Sequence, residues 1–237
     1  GRGPDGSGWQ PRPDARCAVG AYTIDVQNAA EQIRGNNLFH SFSEFNVNTG
    51  QTASFTGPNS IANIINRVTG QTPSNIDGGI NSRAAMPGAN LFLINPNGLF
   101  LGPNATFNVG GSIHLSTADY VRMGDGAQFF ANLAKQSTLT SAPVTAFGFL
   151  GDRAAAPLTI QAGAPIGVEE GKPLSLVGGD VSISGRAMTA AGGQITVASV
   201  AGVGEQPVPT LPAGGGAASG VSPSAAHGTI QLTSGAT

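Results

Sequence analysis

The sequence predicts an all-β solenoid, with short strands joined by tight corners and stacked coil on coil. Three observations carry that expectation. The stretch from Asn90 to Thr117, NLFLINPNGLFLGPNATFNVGGSIHLST, breaks into apolar runs of four to six residues, a length that suits strands and is too short for helices. Only 10% of the residues are charged, against about 25% in ordinary soluble domains. Glycine accounts for 36 of 237 residues, about twice its usual share, and a turn-dense chain poor in Lys and Glu favours many short strands over helices.

The first segment, residues 1–20 (GRGPDGSGWQPRPDARCAVG), reads as a disordered leader. It has no apolar h-region, and the chain starts at Gly1 and not at Met; the chain is therefore expected to be processed or incomplete, or residues 1–20 to be foreign to the domain. Gly1-Arg2-Gly3-Pro4-Asp5-Gly6 matches G-x-G-x-x-G, but no strand precedes it and Pro4 removes a backbone N–H, so a dinucleotide site is not expected. Cys17 is the lone cysteine, which excludes an intramolecular disulfide and a cysteine metal site, and cysteine poverty suits passage through an oxidising compartment. No run of 18 apolar residues exists to span a membrane as a helix. A net charge of −2 with scattered basic residues argues against nucleic acid and other polyanions as partners.

The second segment, 21–152, holds all eleven phenylalanines, from Phe39 to Phe149, and every asparagine, from Asn28 to Asn132. Aromatic packing and Asn-rich turns are expected here. Phe39, Phe42, Phe45, Phe92, Phe100 and Phe107 should be buried in a local core or cap that closes the open end of the solenoid. Within SIANIINRV, residues 60–68, Ile61, Ile64, Ile65 and Val68 have helical spacing, with Ser60 as cap and Gly70 as stop; a strand or turn reading stands beside the helix. Arg67 is the only charge between Asn59 and Thr72. If buried it needs partners, for which Asp77 or Glu44 are candidates, and it then clamps an extra-helical segment or serves recognition. Asn95-Pro96-Asn97-Gly98 is a tight corner: Pro96 presets φ, and Asn97-Gly98 tolerates the positive φ that follows. His40 lies among Leu38, Phe39 and Phe42 and reads as structural. His114 alternates with Ile113 and Leu115 and is expected to face solvent, so that its loss should be neutral.

The third segment, 153–237, shows inward-facing pairs at Leu158/Ile160, Ile166/Val168, Leu174/Leu176, Val181/Ile183 and Ile195/Val197, with Ala187 and Thr189 filling one gap. Three such faces make one coil of roughly 20–25 residues, in the manner of short-period β-helix repeats. Residues 202–227 are rich in Pro, Gly, Ala and Ser and read as an excursion from the stack or a loop. Gly228 to Thr233 resumes the alternation, with an edge expected to fray or self-associate.

Catalytic and metal chemistry find no constellation here. His40, His114 and His227 are far apart with no H-x-x-x-H pattern. Asp119, Asp125 and Asp152 are scattered, and Glu169 and Glu170 are neighbours that would point to opposite sides of a strand. No cofactor, no metal and no enzyme activity are expected.

Four ordered segments resemble the filamentous-haemagglutinin-type secretion domain. They are Gly35-Asn36-Asn37-Leu38-Phe39-His40-Ser41-Phe42; Ile64-Ile65-Asn66-Arg67-Val68-Thr69-Gly70; Asn95-Pro96-Asn97-Gly98 with its flanks Leu91-Phe92-Leu93-Ile94 and Leu99-Phe100; and Gly110-Gly111-Ser112-Ile113-His114-Leu115-Ser116-Thr117-Ala118. The likeness runs from about Tyr22 to about Leu150. It implies a right-handed parallel β-helix with an N-terminal cap and extra-helical elements, placed at the N-terminal part of a very long secreted bacterial adhesin. It implies recognition by the outer-membrane transporter of a two-partner secretion system, with Asn95, Pro96, Asn97, Gly98, Asn66 and Arg67 as the residues of recognition or of the fold that recognition needs. Two rival functions are a carbohydrate-binding adhesin module that grips host or neighbour-cell glycans, and a polysaccharide-active β-helix enzyme.

Overall fold

The computed structural model describes residues 22–24, 33–185, 187–209 and 226–233. The leader with Trp9 and Cys17, and residues 210–225 of the expected excursion, lie outside the described residues. Among the described residues every regular element is a strand.

Three parallel sheets form the body. The longest has the order β2 (Ile33–Arg34), β3 (Asn37–Phe42), β5 (Asn63–Val68), β8 (Asn90–Ile94), β11 (Ile113–Ser116), β17 (Leu174–Gly178) and β20 (Ile195–Ser199), parallel throughout except that β2 runs antiparallel to β3. A five-stranded sheet has the order β22 (Ile230–Thr233), β18 (Val181–Ser184), β15 (Leu158–Ile160), β9 (Leu99–Leu101) and β6 (Ser74–Ile76). A four-stranded sheet joins β1 (Tyr22–Ile24), β4 (Thr52–Phe55), β7 (Gly79–Asn81) and β10 (Thr106–Asn108), and a small parallel pair joins β16 (Ile166–Val168) to β19 (Met188–Ala190). The chain visits these sheets in a fixed cycle: β5, β6, β7, then β8, β9, β10, then β11. The cycle resumes with β15, β16, β17 and again with β18, β19, β20.

Side chains at equivalent places on the long sheet record the length of each turn. Asn63 bonds Asn37 across 26 residues, Asn90 bonds Asn63 across 27, and Ser112 bonds Asn90 across 22. The next step, His114 to Ser175, takes 61. That longer step contains β12 (Tyr120–Met123), β13 (Gln128–Phe130) and β14 (Val144–Phe149) of an inserted antiparallel sheet of order β13, β12, β14 and β21 (Gly204–Pro207), the last of which comes later in the chain.

Alternation along the long sheet feeds two cores. Leu38, Ile64, Leu91, Leu93, Ile113 and Leu115 point into the space shared with the other parallel sheets. Phe39, Ile65, Phe92 and Ile94 point the other way, where Val121, Phe129, Phe147 and Phe149 of the antiparallel sheet cover them. Ala and Val complete both cores, in keeping with a fold that buries apolar area on each side of one sheet.

Several expectations change at this level. Residues 63–68 are the strand β5, not a helix. Ile64 and Val68 serve the first core while Ile65 serves the second, so apolar residues on both faces mimic helical spacing. The inward residue of β19 is Met188, packed against the first core, with Thr189 exposed; the expected Ala187/Thr189 pair is off by one. Of the expected pairs, Ile195 stands out as 40% exposed. Residues 204–207 are not loop but the fourth strand of the antiparallel sheet. Phe39, Phe42, Phe45 and Phe92 are buried, whereas Phe100 and Phe107 are half-buried. The aromatic zone also does more than close an end, because much of it lines the side-on second core.

Candidate functional site

The Asn95–Gly98 corner is stitched to the turns on either side of it. Asn95 is fully buried. Its Nδ2 donates to Thr72 O and to Ser74 Oγ, each at 3.0 Å, and its Oδ1 accepts from Asn97 N at 2.9 Å. The latter is an Asx turn, a side chain standing in for backbone at the corner. Gly98 N returns to Asn95 O at 3.0 Å, and Leu99 N donates to Pro157 O at 3.2 Å. Asn97 reaches both ways: its Nδ2 donates to Gly70 O at 2.7 Å, while its Oδ1 accepts from Arg153 Nη1 at 3.0 Å. Gly98 has a φ of 120°, and a Cβ there would lie 3.3 Å from Pro157 O. The corner therefore requires glycine on conformational and steric grounds.

Asn66 and Arg67 sit on the neighbouring strand, with Arg67 opposite Ile94, one residue before the corner. Alternation sends them to opposite cores. Asn66 is buried on the inward face, and its Nδ2 donates to Phe92 O at 2.8 Å. Its Oδ1 and the facing His40 Nε2 have no hydrogen-bond partner. Arg67 points into the second core. Its Nε donates to Ser41 Oγ at 2.6 Å, its Nη1 donates to Phe130 O and to Ser137 Oγ, and its guanidinium lies 4.2 Å from the centre of the Phe129 ring. Burial holds its pKa down at about 10, so it remains charged at neutral pH. These contacts are with neutral oxygens and an aromatic face. These contacts tie the long sheet to the inserted sheet, which is the clamp geometry.

A cleft of about 270 Å³ opens beside the corner, lined by Thr69, Gly70, Pro96, Asn97, Lys135 and Arg153 among others. Its rim carries two long ion pairs, Lys135 to Asp152 at 4.0 Å and Arg153 to Asp119 at 3.9 Å. Both are exposed to water, where such pairs contribute little.

His114 is the residue that sequence reasoning placed wrongly. It does point away from the first core, as alternation requires, but the inserted sheet covers that face and leaves it 2% exposed. Its ring stacks on Phe92 at 4.4 Å and 14°, and its Nδ1 shares a hydrogen bond with Ser175 Oγ at 2.6 Å. Burial pushes the pKa of His114 down to about 3 and that of His40 to about 4. The signal available in the sequence was the company His114 keeps in register, Phe92 on one side and Ser175 on the other.

The carboxylates serve local structure. Asp119 accepts from Leu150 N, Asp125 caps its own turn at Ala127 N, and Glu169 pairs with Arg83. Among the described residues no group of three or more His, Cys, Asp or Glu is placed to hold a metal, and no helix is long and apolar enough to cross a membrane. A family model described as the TPS secretion domain matches residues 3–232, across both compositional zones. No curated protein and no solved structure matches the chain.

Proposed function

The chain belongs to the TPS (two-partner secretion) secretion domain family, and from that premise we propose that it is the N-terminal secretion-signal domain of a large filamentous-haemagglutinin-type exoprotein, recognised by its partner transporter and nucleating the fold of the rest at the cell surface. Members of this family are secreted through the outer membrane to the cell surface or extracellular space, and the family is one of secretion domains and not a known enzyme family. It implies a partner transporter in the outer membrane.

The finer reading has three parts. The body is a right-handed parallel β-helix, for which the fixed cycle of the chain through three parallel sheets is the support. Residues 21–152 are the secretion and recognition unit, and 153–237 add further coils. The chain crosses the periplasm with its tertiary packing incomplete, pairs by backbone hydrogen bonds with periplasmic parts of the transporter, and folds outside, where each coil templates the next. Folding on the far side opposes return without a nucleotide energy source.

Asn95, Pro96, Asn97 and Gly98, with Asn66 and Arg67, are the residues through which recognition depends on the fold. The observation that carries this is the corner itself: its side chains bond backbone on the preceding turn and a side chain after the inserted sheet, beside an open cleft. Export of Asn97→Ala, measured in cells that make the partner transporter, tests it. Export should fall at least severalfold, and unchanged export would remove the corner from the recognition scheme.

A further inference from the structure

We propose that β21 is a displaceable guard strand, and that the edge of β14 it covers is the pairing site for an extended strand of the partner transporter. This rests on the secretion reading above. The two strands are matched from Ala146 opposite Pro207 to Phe149 opposite Gly204, and Val208 N donates to Thr145 O at 2.9 Å.

They are unequal partners. β14 has six residues with five of them buried, and Phe147 and Phe149 anchor it in the second core. β21 has four residues, of which only Gln206 is buried, and it ends in a proline that has no N–H to give. Besides the buried Gln206, its side chains hold through the Glu205 carboxylate. Glu205 Oε1 accepts from Tyr120 Oη at 2.7 Å, and both its oxygens accept from Arg122 Nη1 at 3.0 Å. The ion pair is open to water, with side-chain exposures of 45% for Arg122 and 30% for Glu205, a setting in which such pairs hold weakly. Gly148 makes the clasp possible, because a Cβ there would run into the Tyr120 ring that crosses β14 to reach Glu205.

Chain order supplies the timing. β15 to β20 all lie between β14 and β21, so the β14 edge stays bare until those turns are in place. A bare edge offers a row of unpaired N–H and C=O groups beside buried apolar side chains, the template that strand addition uses. The transporter meets the chain at that stage. A second copy of this chain, already folded outside, would meet the edge with its guard in place. Docking of β21 then makes the same backbone bonds that the transporter strand made, and so expels it.

The test uses the full chain with Cys17→Ser as background and the periplasmic domains of the cognate transporter as immobilised probe. Ala146→Cys with Pro207→Cys staples the guard to the edge when oxidised; Thr159→Cys with Ser182→Cys, also opposite each other, staples the five-stranded sheet as a control. The edge staple should bind at least tenfold more weakly oxidised than reduced, while the control binds alike in both states. Glu205→Lys, which sets a like charge against Arg122, should bind severalfold tighter than the native chain. Equal binding by the oxidised and reduced edge staple, or equal weakening by both staples, would overturn the guard-strand proposal alone. Absence of binding by the native chain would instead overturn the secretion reading on which it rests.

Discussion

Gly98 accepts no β-branched side chain, since its φ of 120° and the nearby Pro157 oxygen both exclude one. Gly98→Val should cost about 1–3 kcal/mol of stability, read as a lower denaturation midpoint, and should lower the amount of protein secreted with the partner transporter present. His114→Ala is expected to destabilise too, by about 2–4 kcal/mol in line with other buried large-to-small changes, because it empties the place stacked on Phe92. A midpoint equal to that of the native chain would contradict the burial of this ring. The two buried histidines also set a pH dependence. Their folded pKa values, about 4 for His40 and about 3 for His114, lie below the ordinary 6.5. The unfolded chain therefore takes up protons first as pH falls. Stability is full well above pH 6.5 and is lost on the way down, by about 1 kcal/mol per histidine at pH 5.5. Denaturation at pH 7.5 and 5.5 checks this, and His40→Gln should about halve the difference, leaving the part due to His114.

At the scale of elements, the inserted antiparallel sheet is fastened to the long sheet by Arg67 and by Asn37. Asn37 Nδ2 donates to Thr140 O and Ala142 O, while its Oδ1 accepts from Asn63 at the end of a ladder of amides that continues to Asn90. Arg67→Ala strands the carbonyl of Phe130 and removes the cation from the face of Phe129. It should cost about 3 kcal/mol, as removal of a buried, hydrogen-bonded charge does, and should raise amide exchange in 128–130 and 144–149 more than in 158–160. Arg67→Lys should rescue little, because a lysine lacks the planar fork that serves several acceptors at once. Uniform exchange changes across the three segments would show that Arg67 is not a clamp. The elements most legible in the sequence were those with one buried face. Leu158/Ile160 and Val181/Ile183 alternate cleanly, and their register, Leu158 opposite Val181, follows that alternation. β5 was ambiguous because Ile64 and Ile65 enter different cores. β21 was missed because Gly204-Glu205-Gln206-Pro207 has almost no apolar content and is a strand only by virtue of its neighbour β14.

At the scale of the molecule, the confinement of phenylalanine to Phe39–Phe149 marks where one sheet is sandwiched between two cores. The short strands were readable from corners and periods, which are local. The second core was not, because it joins Phe39 to Phe129 and Phe92 to Phe147, contacts that no period announces. The Asn95–Gly98 corner was legible as a turn, and its cleft was not, since Lys135 comes from the loop between β13 and β14 and Arg153 from just after β14. The opposite end of the stack is thinly covered: Ile230 is 45% exposed and Leu232 68%. Residues 230–233 should accordingly exchange their amides faster than 174–178 in a monodisperse sample, and equal protection would contradict an open end. The central claim, that these residues carry the address for a partner transporter, is tested most directly by secretion of residues 1–237 placed behind a cleavable signal peptide. With the cognate outer-membrane transporter made in the same cells, the chain should appear in the medium or at the cell surface; without the transporter it should stay in the periplasm. Equal release in both strains would contradict the claim.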